Sequence, residues 1–208
     1  MKHPNRIHLS ASSVFNVTRA VVEDPYTEPL ITLYGRVDDS TINVRGAYNW
    51  TSAERTRENS DVSNGRAEDR IIAFEEAVRA FVVGKSFKRI SRLIGGAHSH
   101  PDSNDGTVPV PSPSRGDRKA FLTWMDAYNC PFWVELILIP ELKTPRGLGV
   151  SYRRVADRPV LSISNMYKGF GIDITFSGHY TYKNSKLRVR ELPIDFDPKT
   201  VRRYFTTE

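Results

Sequence analysis

Nine residues from Phe132 to Pro140, Phe-Trp-Val-Glu-Leu-Ile-Leu-Ile-Pro, form an almost continuously apolar stretch. A strand carries such a stretch where both of its faces are covered, which suits the centre of a sheet. The flanking sequence alternates between strand and helix patterns. Ile7–Leu9 reads as a strand entering a helix, with Ser10 or Ser12 as N-cap, apolar positions at Val14, Val17 and Val21, and Pro25 as the stop. Pro29–Val37 and Thr41–Tyr48 predict a hairpin around Asp38-Asp39-Ser40. Residues 51–65 are polar and read as a loop. Ala67–Gly84 places Ile71, Ile72, Phe74, Val78, Phe81 and Val82 close to helical spacing, with Gly84 as a C-terminal stop. Lys88–Gly96 leads into a further strand.

Arg115–Asn129 predicts a helix that buries Phe121, Leu122, Trp124 and Met125, and Val150–Val155 a strand after the Lys143–Gly149 loop. Beyond residue 156, short strands are expected at Leu161–Ile163, Ile172–Phe176, His179–Tyr182 and Lys186–Leu192, separated by Gly and Asn turns. Pro198–Tyr204 reads as a terminal helix.

The chain has 208 residues, long enough for one domain with elaborations and a substantial core. Its formal charge is +6 and its isoelectric point about 9.5, but the positive residues are dispersed, with local concentrations at Lys85–Arg92, Lys183–Arg190 and Arg202–Arg203. Without a nucleic-acid motif or a sustained basic block, a solvated surface is expected and no nucleic-acid partner. No apolar run has the roughly eighteen residues of a membrane span, and no signal-peptide core follows the N-terminus, so the expectation is a cytoplasmic protein with no membrane contact. Cys130 is the single cysteine, which excludes an intramolecular disulfide. Lying beside Pro131-Phe132-Trp133, it reads as an inert core thiol. Any zinc must then be held by histidine and carboxylate.

The chemistry-bearing motif is His98-Ser99-His100-Pro101, followed after twelve residues by Ser114-Arg115-Gly116-Asp117. Side chains alternate along a strand, so histidines spaced i, i+2 project from one face. A carboxylate arriving from the start of a helix could complete a three-ligand site with a fourth position open for water, the arrangement expected of catalytic zinc. The spacer contains Asp102 and Asp105, and the stretch from Pro101 to Pro113 holds Pro101, Pro109, Pro111 and Pro113. It reads as a fairly stiff loop at the rim of a cleft. His179, on a strand of the tail, reads as structural or exposed.

This arrangement resembles the JAMM (MPN+) zinc metalloprotease family, whose signature joins a glutamate, HxHP and SxxD. The resemblance covers residues 7 to 155, roughly three quarters of the chain. It implies His98, His100 and Asp117 as ligands of one Zn2+ per chain, and Ser114 as a stabiliser of the tetrahedral oxyanion. Asp102 and Asp105 compete for the third position, but Asp117 alone sits in an SxxD at a helix start. The glutamate falls on Glu28, in a stretch that resembles the family's Glu-x-x-Gly-x-x-x-Gly turn with Gly35 matched, Ile31 in place of the first glycine, and Pro29 directly after the glutamate. Glu28 is then the general base on zinc-bound water; Glu23 is the competing base, further from the pattern. Ser114 has a plainer alternative role as a helix N-cap only.

The implied fold is α/β: a JAMM/MPN-type, cytidine-deaminase-like curved mixed β-sheet flanked by helices. Residues 1–155 would form the metalloprotease domain and 156–208 a β-rich extension packed on it. The implied function is an isopeptidase or peptidase cleaving at the C-terminus of ubiquitin or a ubiquitin-like or sulfur-carrier protein. Its partners would be that protein or its conjugates, with an MPN-type or self dimer also compatible. The alternative is a non-catalytic MPN-like scaffold that binds a partner subunit. A nuclease or phosphoesterase of the HxH type is a third reading, weakened because only HxHPD is present and no second histidine cluster follows.

Overall fold

The computed structural model of the chain describes residues 3–49, 54–55, 60–61, 92–101, 109–183 and 188–206. The helix expected at Ala67–Gly84, most of the 51–65 loop, and Asp102 and Asp105 lie outside them.

The chain is a mixed α/β protein. Strand β1 (Arg6–Leu9) runs into helix α1 (Ala11–Glu23), and the hairpin of β2 (Ile31–Asp38) and β3 (Thr41–Asn49) follows. A short ribbon, β4 (Glu54–Arg55) with β5 (Ser60–Asp61), precedes β6 (Arg92–Ser99). Helix α2 (Arg115–Ala127), β7 (Phe132–Leu142), β8 (Leu148–Val155), β9 (Arg158–Asn165), β10 (Phe170–Tyr182), β11 (Arg188–Leu192), β12 (Ile194–Asp195) and helix α3 (Pro198–Thr206) complete the described order, with a 3-10 turn at Met166–Lys168. Ten strands form one sheet in the order β12-β1-β3-β2-β6-β7-β10-β9-β8, with β11 pairing against β10.

Local sequence explains the elements around this sheet. Ser10 caps α1 by accepting from the Ser13 amide, and Val14, Val17 and Val21 recur on one face and are fully buried. That face meets the strands, while Phe15 rests against Phe205 and Tyr204 of α3 with ring centroids 5.1 and 5.7 Å apart. On the opposite face of the sheet, Phe121, Met125 and Tyr128 pack with Leu93 and Trp133. Leu122, expected inside, is exposed, because it lies about 100° around α2 from Phe121 and misses the sheet.

The sheet curls. β10 pairs with β7 along one side from Ile172 to Tyr182, while its other side pairs first with β9 and then with β11. From β11 the chain steps through Pro193 into β12, which pairs in parallel with β1 at the far end of the order. The sequence pattern predicted two strands broken at Gly178, yet β10 is continuous there. The glycine serves a close approach instead: a Cβ at Gly178 would lie 2.7 Å from Ile7 Cδ1 and 2.8 Å from Ile194 Cγ1. Curling brings the terminal strands across the middle of β10, and only glycine leaves room. Phe196 closes the seam against Phe176 and Tyr152.

Candidate metal centre

β6 ends by delivering His98 and His100. Their Nε2 atoms are 3.0 Å apart, and Asp117 from the first turn of α2 lies 3.7 Å from each, through Oδ1 to His98 and Oδ2 to His100. The three residues form a group whose ligand atoms could hold a metal ion. All are mostly buried, with side-chain exposures of 11%, 18% and 21%.

Each imidazole is oriented by its other nitrogen. His98 Nδ1 meets Glu135 Oε1 at 2.7 Å, and His100 Nδ1 donates to the Val110 carbonyl at 2.8 Å. With Nδ1 so occupied, Nε2 is the atom that each ring turns toward the other and toward Asp117. The Nε2–Nε2 contact is a hydrogen bond in which one ring donates to the other, and a metal ion held by both would take the place of that proton. Burial would depress the His98 pKa, but the Asp117 and Glu135 carboxylates overcome it and push the ring up to about 10. Asp117 is likewise driven well below the usual carboxylate range: burial opposes ionisation, and His100, His98 and the Ser114 amide outweigh it.

Asp117 is fixed by a reciprocal cap. Ser114 Oγ accepts from the Asp117 amide at 3.1 Å, and Asp117 Oδ2 accepts from the Ser114 amide at 2.6 Å. The Ser114 oxygen is thus engaged as an N-cap acceptor; among the described residues nothing accepts its hydroxyl proton.

Glu28 sits in the irregular stretch before β2, half-buried, in the field of His98, His100, Asp117 and Glu135. Burial raises its carboxyl above the ordinary value, the two histidines opposing and the two carboxylates reinforcing the shift. Ser99, between the histidines, donates to the Thr27 carbonyl at 3.2 Å and ties this stretch to β6. Glu23, the competing base, is exposed on α1 in an i,i+4 pair with Arg19.

Sequence reasoning missed Glu135. It is 5% exposed in β7 and receives the indole N–H of Trp133 at 2.7 Å as well as His98. A lone carboxylate within an apolar run was the available signal, because buried charge needs partners. Of the paired glycines before the histidines, Gly96 makes room for it and Gly95 for the neighbouring β7 backbone. At Gly96 a Cβ would stand 3.1 Å from Glu135 Oε2, and at Gly95 it would collide with the Val134 carbonyl at 1.8 Å. His179 is buried, and Cys130 is half-buried with its thiol toward the Leu93 carbonyl at 3.6 Å.

No family model and no curated protein matches the chain. Among solved structures, the solution structure of protein DSY2949 from Desulfitobacterium hafniense aligns with a TM-score of 0.49 at 16% identity, covering 92% of each chain. No described helix is long and apolar enough to cross a membrane.

Proposed function

We propose that the chain is a zinc-dependent peptidase or isopeptidase of the JAMM type, acting at the C-terminus of ubiquitin or a ubiquitin-like or sulfur-carrier protein. The observation that carries the reading is the convergence of His98 Nε2, His100 Nε2 and Asp117, with Glu28 beside them. Ligands about 2.0–2.1 Å from a tetrahedral zinc stand roughly 3.3 Å from one another. The separations of 3.0 and 3.7 Å bracket that value. Two imidazoles and one carboxylate are also the donor set of a site that keeps a position open for reaction.

When bound, zinc supplies Lewis acidity that makes a water more acidic and a carbonyl more electrophilic. The chain's own residues do the rest. Glu28, its carboxyl raised by burial, is suited to take a proton from the attacking water and return it to the leaving amine. The Ser114 hydroxyl proton, left free by the cap, would donate to the oxyanion of the tetrahedral intermediate, as the family resemblance implies. Glu135 and the Val110 carbonyl hold the two imidazoles in the ligating tautomer. The substrate class rests on the resemblance of HxHP and SxxD to that family.

The test is incubation of the zinc-loaded chain with a panel of ubiquitin-like and sulfur-carrier proteins carrying C-terminal extensions or isopeptide-linked lysines. Cleavage at the C-terminal junction, abolished by a chelator and by Glu28→Gln, is expected. A chain that binds one zinc and cleaves none of them would be better described as a partner-binding scaffold.

A further inference from the structure

Two neighbouring carbonyls in the segment before α2 are captured by different parts of the fold. The Val110 oxygen accepts from His100 Nδ1. The Pro111 oxygen is met by His179 Nε2 at 3.0 Å and by Ser177 Oγ at 2.9 Å. Prolines at 109, 111 and 113 remove three N–H donors and fix φ at each. The segment therefore has little means of holding itself, and its place depends on which groups take its carbonyls.

The groups that take the Pro111 carbonyl belong to β10. Ser177 and His179 are alternate residues on one face of β10, both buried, with Oγ and Nε2 3.0 Å apart. Ser177 also reaches Glu191 of β11 at 3.2 Å, and Arg158 of β9 grips that carboxylate through Nε at 2.7 Å and its terminal nitrogen at 3.0 Å. Burial holds His179 below its ordinary pKa, so the ring is neutral and its one proton is available on Nε2 for the Pro111 carbonyl. The serine, histidine and carboxylate do not make a nucleophilic site of their own. Ser177 is 1% exposed and has the Pro111 carbonyl against it.

We infer that Ser177 and His179 are positioning residues for the metal centre: by fixing the Pro111 carbonyl they hold the Val110 carbonyl on His100 Nδ1 and keep His100 Nε2 turned toward His98 and Asp117. This rests on the metal-site reading above, and it gives strands β9 to β11 a task in presetting a ligand.

The experiment is a competitive zinc titration of the full chain against a chromophoric chelator, with Co2+ absorption spectra and melts of the metal-free protein alongside. Wild type is compared with His179→Phe, His179→Gln and Ser177→Ala. Outer-shell partners commonly change metal affinity by about 10–100-fold. His179 acts through one further link, so His179→Phe is expected to weaken zinc by about tenfold and to shift the Co2+ bands. His179→Gln, whose amide can still donate to Pro111, is expected to restore most of the affinity. Where His179→Phe fails to fold, Ser177→Ala carries the comparison in the same direction.

Wild-type zinc affinity and Co2+ bands in both His179→Phe and Ser177→Ala would overturn the positioning role and leave the metal site standing. A loss that glutamine does not restore, with an equal fall in the metal-free melting temperature, would mark an ordinary packing residue and also overturn it. A wild-type chain that binds neither zinc nor cobalt overturns both readings.

Discussion

Glu135 Oε1 lies 2.7 Å from His98 Nδ1, and the same carboxylate takes the Trp133 indole N–H on its other oxygen. One side chain in the middle of a buried strand thus orients an imidazole of the candidate metal centre and satisfies an aromatic donor. Glu135→Ala removes the acceptor from both. Leaving buried donors unsatisfied costs about 1–3 kcal/mol each, so a total loss of about 2–6 kcal/mol is expected in denaturant melts. Zinc affinity should fall about 10–100-fold. Wild-type zinc affinity in this variant would show that His98 needs no orienting partner.

Zinc binding should be coupled to proton release. Because His98 in the metal-free chain titrates at about 10, its ring is protonated at pH 7, and a metal must displace that proton. Affinity should rise about tenfold per pH unit between pH 7 and 9, with about one proton released. Calorimetry in buffers of different ionisation enthalpy measures this directly. Stability of the metal-free chain runs the opposite way. A folded-state pKa raised from 6.5 to about 10 contributes fully below the unfolded value and is lost as pH rises through the folded one. The metal-free melting temperature should therefore fall over that window. A flat profile would contradict the carboxylate cage around His98.

Ser114 allows capping and catalysis to be separated. Replacing an N-cap serine by glycine costs only a few tenths of a kcal/mol, and the Asp117 carboxylate keeps its own bond to the position 114 amide. Ser114→Gly should therefore melt close to wild type and bind zinc. Loss of one oxyanion donor costs about 10²–10³ in rate, and peptidase turnover should fall by that factor. Undiminished turnover would reduce Ser114 to its cap.

The two glycines before the histidines should respond differently to one methyl group. At Gly95 the added carbon meets the Val134 backbone at 1.8 Å, and β6 cannot stay paired with β7. Gly95→Ala should lose more than about 3 kcal/mol, beyond the usual range for overpacking, or fail to fold. At Gly96 the obstacle is the Glu135 carboxylate at 3.1 Å, which can shift. Gly96→Ala should fold and bind zinc more weakly. Equal behaviour of the two variants in melts and titrations would contradict this difference.

The sequence made the local elements plain where one period or one cap decided them. Ser10 and Ser114 each start the helix expected of them, and the apolar run becomes β7. The i, i+2 histidines share a face, as strand alternation requires. What escaped was long-range. Gly178 looked like a turn because nothing nearby in sequence shows that Ile7 and Ile194 will press on it. Leu122 counted as core because a run of large apolar residues does not say which side of the helix meets the sheet. Glu135 was hidden because counting apolar neighbours averages out a single carboxylate, whose meaning appears only once His98 lies alongside.

The pairing of β12 with β1 has a consequence for the order in which the molecule can be completed. His8 meets Asp195 across 187 positions, so this hydrogen-bonded seam joins segments made far apart in synthesis. The candidate metal ligands have all been translated by residue 117, but Glu135 and His179 follow later. A nascent chain thus displays His98, His100 and Asp117 before it can orient them. Contacts of such long sequence separation form slowly, and a ligand set without its supports binds metal weakly. Ordering of the candidate ligand set therefore waits until β7 and β10 have been made.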